Sequence, residues 1–129
     1  MPGVYLHIPF CRQACHYCNF HFSTSLKLQN DFLQALLKEI RLRKDYTGKE
    51  LIRTVYFGWG TPSLLKAEEL SLILAALRES FSISPGAEIT LEANPDDINR
   101  QALRHWKEAG INRLSIGVQS FFEIGRAHV

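Results

Sequence analysis

Sulfur is scarce in this sequence and tightly placed: there is one methionine, and the three cysteines, Cys11, Cys15 and Cys18, fall within eight residues. An odd count excludes a complete set of internal disulfides. No apolar run approaches the ~18 residues that a membrane span needs. No basic run accompanies the sequence pI of about 8.5, and the net charge is only +2, so a dedicated nucleic-acid surface is not expected. The short apolar run after Met1-Pro2-Gly3 has no basic residues before it, so a signal peptide is not expected either. The setting these absences predict is cytoplasmic, where disulfides are disfavoured in any case. Low-complexity segments, linkers and charge blocks are missing as well. What remains is ordinary globular composition, 46% hydrophobic and 22% charged, over 129 residues, a length that suggests one domain rather than a disordered chain.

The chain is organised in repeating cycles. Val4-Tyr5-Leu6-His7-Ile8 reads as a short strand ending at Pro9. From about Leu26 to Tyr46, Phe32, Leu33, Leu36, Leu37 and Ile40 recur at helical spacing, Glu39 stands four residues before Arg43, and Gly48 is a left-handed stop. A second cycle has a β-branched and aromatic strand at Ile52–Phe57, a turn at Gly58–Pro62, and a helix striped by Leu70, Ile73, Leu74, Leu77 and Phe81 that Ser84-Pro85-Gly86 ends. A third runs from strand Glu88–Glu92 into a helix with Asp96 or Asp97 as N-cap, Ile98, Leu103 and Trp106 inward, and Gly110 as stop. A fourth strand, Arg113–Val118, ends at Gln119-Ser120. Strands alternating with helices predict an α/β fold with a parallel sheet, either a small open sheet or part of a (β/α) barrel. In both, chemistry gathers at the C-terminal ends of the strands, and the polar clusters of this sequence follow those ends.

Cys11-x-x-x-Cys15-x-x-Cys18 puts three thiols on one short loop, suited to an iron–sulfur cluster or zinc. Structural zinc takes four ligands, and His16 or His21 could complete a Cys3His site in a small zinc-binding α/β module. Inert packed thiols are the third reading, disfavoured by the polarity of Arg12, Gln13, His16 and Asn19 around them. His7, between apolar strand neighbours, reads as a hydrogen-bonded core histidine, and His105 and Trp106 as half-buried packing residues.

Cys11-x-x-x-Cys15-x-Tyr17-Cys18, with its aromatic before the last cysteine and its place after a first strand, resembles the signature of the radical S-adenosylmethionine (radical SAM) superfamily. Tyr5-Leu6-His7-Ile8-Pro9-Phe10-Cys11 resembles the opening of its coproporphyrinogen oxidase-like branch, with Leu6 a mild variant. Within that branch, oxygen-independent coproporphyrinogen III oxidases carry a fourth cysteine two residues after the third. Phe20 stands there instead, as in the HemW-type haem chaperones. The resemblance extends from Tyr5 to Phe122 and implies a partial (β/α) barrel of the radical SAM type, cut after about four strands. It also implies a [4Fe–4S] cluster on Cys11, Cys15 and Cys18 that leaves one iron open for S-adenosylmethionine.

The same resemblance assigns the cofactor contacts. Gly58, Gly60 and Thr61 match a glycine-rich turn after the second strand, where backbone approaches the methionyl amine. Trp59 is the departure within that turn. Its indole either obstructs the approach, the expected outcome, or points away and lends only backbone; a third reading is a one-base error converting a Gly codon to Trp. Glu92, at the end of the third strand, matches the acid that accepts from the cofactor ribose, chemistry a carboxylate supports with several lone pairs. Gln119 matches a second polar contact, and Tyr5 and Tyr17 match lining positions.

The function implied is that of a haem chaperone binding the cluster, S-adenosylmethionine and haem, with an acceptor haemoprotein and an electron donor as partners. The alternative is oxidative decarboxylation of coproporphyrinogen III, with porphyrinogen as substrate. No nucleic acid and no transmembrane segment enter either reading. Residues 1–122 are expected to be the N-terminal part of the radical SAM core. Glu123–Val129 break the resemblance and match the translation of a common sequencing adapter, so an artefactual tail is expected there, as is lack of function for such a fragment alone.

Overall fold

Four stretches of the chain carry the β-branched and aromatic residues that favour a pleated, buried surface, and each forms a strand. In a computed structural model, residues 3–8, 25–58, 62 and 65–116 are described. The elements are β1 (Gly3–His7), α1 (Ser25–Leu42), β2 (Leu51–Gly58), α2 (Ala67–Ser80), β3 (Ser82–Ala93), a 3-10 turn (Pro95–Asp97), α3 (Arg100–Ala109) and β4 (Arg113–Ile116). All three strand pairs are parallel, and the order is β1-β2-β3-β4.

That order decides between the two architectures that periodicity leaves open. A doubly wound sheet reverses its strand order at a switch point, and none occurs among the described residues. Right-handed crossovers taken always in the same direction put every helix on one face, the winding of a (β/α) barrel. Consecutive helices accordingly pack on each other, α1 on α2 and α2 on α3. The core lies between sheet and helices: Leu6, Ile8, Ile52, Val55, Phe57, Ile89 and Leu91 meet Leu33, Leu37, Ile40, Leu70, Ile73, Leu74, Leu77 and Trp106. The predicted stripes of α1 and α2 both face this core, except that Phe81 falls just past the end of α2 as its C-cap.

Helix ends show where local chemistry competes with pattern. Glu69 in the first turn of α2 accepts the Lys66 N–H at 2.7 Å and the Gln29 amide at 2.9 Å, tying the start of α2 to α1. The predicted Glu39–Arg43 pair forms, with Nε–Oε2 at 3.4 Å. Gly48 and Gly110 both adopt positive φ, as their stop positions require. Three expectations are corrected. Asn99, not Asp96 or Asp97, caps α3 through its side chain to the Ala102 N–H at 2.8 Å, because Pro95 starts a separate turn that Asn94 caps. Leu103 is 42% exposed rather than inward. The second helix ends at Ser80, well before Ser84-Pro85-Gly86, and β3 begins at Ser82.

The Pro-Gly pair sits instead in a bulge. Between the pairs Ile52↔Ile83 and Thr54↔Glu88, β3 takes five steps where β2 takes two. Pro85 has no N–H to give a ladder, so a bulge is where a strand tolerates it. Beyond the bulge Asn112 fastens β3 to the approach of β4: its side chain accepts the Ile89 N–H at 2.8 Å and donates to the Ala87 carbonyl at 2.8 Å. Its own N–H reaches the Ile89 carbonyl at 3.0 Å. The register of the C-terminal half of β3 is thereby held, and with it the position of Glu92. No helix of the described residues is long and apolar enough to cross a membrane.

Candidate functional site on the polar face of the sheet

Residues alternate across a strand, so those between the core positions share the face away from the helices. On that face are Tyr5 and His7 of β1, Tyr56 and Gly58 of β2, Thr90 and Glu92 of β3, and Ser115 of β4. The register sets Tyr5 beside Tyr56 and Tyr56 beside Thr90 in one row. The next row carries His7 beside Gly58, and Glu92 beside Ser115. Because all strands are parallel, this second row lies at the C-terminal edge.

Tyr5 and Tyr56 are stacked, with ring centroids 5.6 Å apart and an interplanar angle of 11°. Tyr56 reaches along the sheet and donates its hydroxyl to Glu92 Oε2 at 2.7 Å. Ser115 in turn hydrogen-bonds the Tyr56 oxygen. The stack depends on Gly58: a Cβ there would lie 2.5 Å from the Tyr5 hydroxyl and 2.8 Å from Tyr56 Cε1, so only glycine leaves room for the two rings. Opposing effects act on Tyr56. The Ser115 hydrogen bond pulls its pKa down, while the bond to Glu92, desolvation and the Glu92 charge push it up; the phenol ends above its ordinary value of 10.0. Tyr56 therefore stays protonated, and stays a donor, across the physiological range.

Of the residues singled out in the sequence, Tyr5 and Glu92 are brought onto this one face. Tyr5 is 57% exposed and stacked, rather than packed in the core. Glu92 is half-buried. His7 is exposed, which corrects the core-histidine reading: it lies on the face opposite Leu6 and Ile8. Trp106 is buried and His105 half-buried. Cys11, Cys15, Cys18, Tyr17, Trp59, Gly60, Thr61, Gln119 and the tail 123–129 lie outside the described residues. In sequence, the cysteine segment follows β1, Trp59-Gly60-Thr61 follows β2, and Gln119 follows β4. The sequence reading missed Tyr56 and Ser115. Strand alternation was the available signal, since it sets Tyr56 opposite in sense to the core residues Val55 and Phe57.

A half-buried carboxylate held by a phenol at the C-terminal edge of a parallel sheet is suited to accept further hydroxyl donors, because its two oxygens offer about four lone-pair sites. A stacked tyrosine pair beside it offers an apolar surface with polar tips.

Fold and edge define an α/β protein of the barrel-wound kind with its chemistry at the strand ends, and comparison with known proteins gives that class its family. The family model described as the radical SAM superfamily matches residues 5–129, and the chain belongs to that superfamily. It is 38% identical over 99% of its length to the heme chaperone HemW of Bacillus subtilis, covering 36% of that protein. To HemW of Escherichia coli it is 38% identical over 98% of its length, covering 35% of that protein. To an oxygen-independent coproporphyrinogen III oxidase of Bradyrhizobium diazoefficiens it is 36% identical over 92% of its length and 27% of that protein. Among solved structures, coproporphyrinogen III oxidase (HemN) from Escherichia coli, described as a radical SAM enzyme, superposes with a TM-score of 0.78 at 32% identity, over 95% of this chain and 29% of that one. The chain thus spans about a third of the length of the curated relatives it matches. Membership of the superfamily implies S-adenosylmethionine and an iron–sulfur cluster at the level of the family.

Proposed function

We propose that this chain is the cofactor-binding portion of a HemW-like radical SAM protein that carries haem to acceptor haemoproteins in the cytoplasm. Cys11, Cys15 and Cys18 would hold a [4Fe–4S] cluster, which would supply the iron site for S-adenosylmethionine. Tyr5, Tyr17, the backbone of Trp59, Gly60, Thr61, Glu92 and Gln119 seat that cofactor. When bound, cluster and cofactor supply one-electron chemistry that no side chain offers. The protein's own share is positioning: Glu92 accepts from the ribose hydroxyls, and the glycines let backbone come close. Residues 1–122 form the N-terminal part of the core domain.

The observation that carries this reading is Glu92, half-buried and held by Tyr56 at the C-terminal edge of the sheet, the edge that the cysteine segment and the glycine-rich turn follow in sequence. Phe20, in place of the fourth cysteine that the oxidases of this branch carry, favours haem delivery over decarboxylation. The decarboxylase reading draws on the likeness to HemN and to the Bradyrhizobium protein.

The test is anaerobic reconstitution of the protein, followed by iron and sulfide analysis, haem-binding spectroscopy and turnover with coproporphyrinogen III. Near four irons and four sulfides per chain, lost in Cys15→Ala, are expected, with haem binding and transfer to an apo-haemoprotein expected of the full-length protein that carries this chain. One equivalent of zinc without sulfide would overturn the cluster. Propionate decarboxylation would replace the chaperone reading with the oxidase.

A further inference from the structure

We propose that Tyr56 is a positioning residue for the Glu92 carboxylate: stacked on Tyr5 and donating to Glu92 Oε2, it presents that carboxylate to a vicinal diol such as a ribose. This deepens the reading above and rests on Glu92 being the ribose contact.

The geometry has three parts. A glutamate side chain has three rotatable bonds, and leaving them free costs affinity when the group must be ordered on binding. The Tyr56 hydroxyl, 2.7 Å from Oε2, removes much of that freedom before any ligand arrives. Tyr56 is itself not free to swing. Its ring lies on Tyr5 at 5.6 Å, over a position where only Gly58 leaves space. A diol needs both of its hydroxyls accepted at a fixed spacing. A carboxylate pinned at one oxygen by a phenol meets that need better than one that rotates.

A purely structural tyrosine would alter stability without altering which sugar is preferred. The experiment therefore measures binding of S-adenosylhomocysteine and of its 2′-deoxyribose counterpart to the cluster-reconstituted protein by titration calorimetry, for the unsubstituted protein, Tyr56→Phe, Glu92→Gln and the double variant, with thermal unfolding of each. Tyr56→Phe keeps the ring stack and removes only the hydroxyl. The expected result is that the unsubstituted protein prefers the ribose ligand, that Glu92→Gln loses the preference, and that Tyr56→Phe weakens ribose-ligand binding roughly tenfold while leaving the deoxy ligand nearly unchanged. Adding Tyr56→Phe to Glu92→Gln should then cost nothing further. If Glu92→Gln abolishes the preference but Tyr56→Phe keeps it, or if the tyrosine's effect persists in the double variant, the positioning role is overturned while the ribose contact stands. If the unsubstituted protein shows no preference, or Glu92→Gln retains it, the ribose reading fails and the positioning role fails with it.

Discussion

The two faces of this sheet are made by the same strands from alternate residues, yet they follow different rules. On the helix side, Ile8, Ile52, Phe57 and Leu91 are fully buried in one apolar core with residues of α1, α2 and α3. Hydrophobic burial is non-directional, so this face specifies which side of each strand turns inward and little else. On the other side, Tyr5, Tyr56, Glu92 and Ser115 are joined by directional contacts, a stack and hydrogen bonds, whose partners are specific. One face supplies free energy, and the other spends some of it on geometry.

Truncation on the apolar face should show the larger effect. Phe57→Ala removes a fully buried ring from the centre of the sheet and leaves a cavity that the surrounding Ile and Leu side chains fill only in part. The expected loss is about 3–5 kcal/mol of unfolding free energy, measured by urea denaturation. A loss below about 1 kcal/mol would mean that the helix face does not carry the stability assigned to it.

Gly58 lies on the polar face where the two stacked rings need space, and its substitution breaks that face without hollowing the core. In Gly58→Ala the new methyl would collide with Tyr5 and Tyr56, and either the stack opens or the strand shifts. The expected cost is about 1–3 kcal/mol, as for other overpacked sites. The diagnostic readout is loss of the near-ultraviolet circular dichroism of the tyrosine pair. An unchanged aromatic spectrum would show that the rings do not need the glycine.

The difference between the faces also explains what could be read from the chain itself. Apolar periodicity located the three helices and four strands, and placed Leu70, Ile73, Leu74 and Leu77 on the core stripe of α2, because burial leaves a regular signature. It failed where local hydrogen bonding outranks the pattern: Asn99 displaced the aspartates as cap, and the Pro85-Gly86 bulge lies inside β3 rather than at the end of a helix. Barrel winding was invisible to periodicity, since strand order is a tertiary property. On the polar face, Glu92 and Tyr5 were legible only through family resemblance, and Tyr56 was passed over. A tyrosine between Val55 and Phe57 reads as one more apolar strand residue. Its role lies in the distance to a carboxylate 36 positions away, which no local pattern records.

The smallest expected effect is the most specific to the polar face. Tyr56 titrates above the ordinary tyrosine value because the influence of Glu92 and desolvation exceeds the opposing bond from Ser115. The sign for stability follows from which state binds the proton. Below the unfolded pKa near 10 both states hold it, and the contribution is fully present. As the pH rises further the unfolded state releases the proton first, so stability falls until the folded phenol ionises too. The two partners should act oppositely on this transition. Glu92→Gln removes the main influence raising the pKa and should bring the Tyr56 tyrosinate absorbance step to lower pH, whereas Ser115→Ala removes the influence lowering it and should delay that step. Tyr56→Phe should delete the step altogether. If Glu92→Gln and Ser115→Ala shift the step in the same direction, the hydrogen bonds do not run from Ser115 through Tyr56 to Glu92, and the polar face is held together by packing like the other.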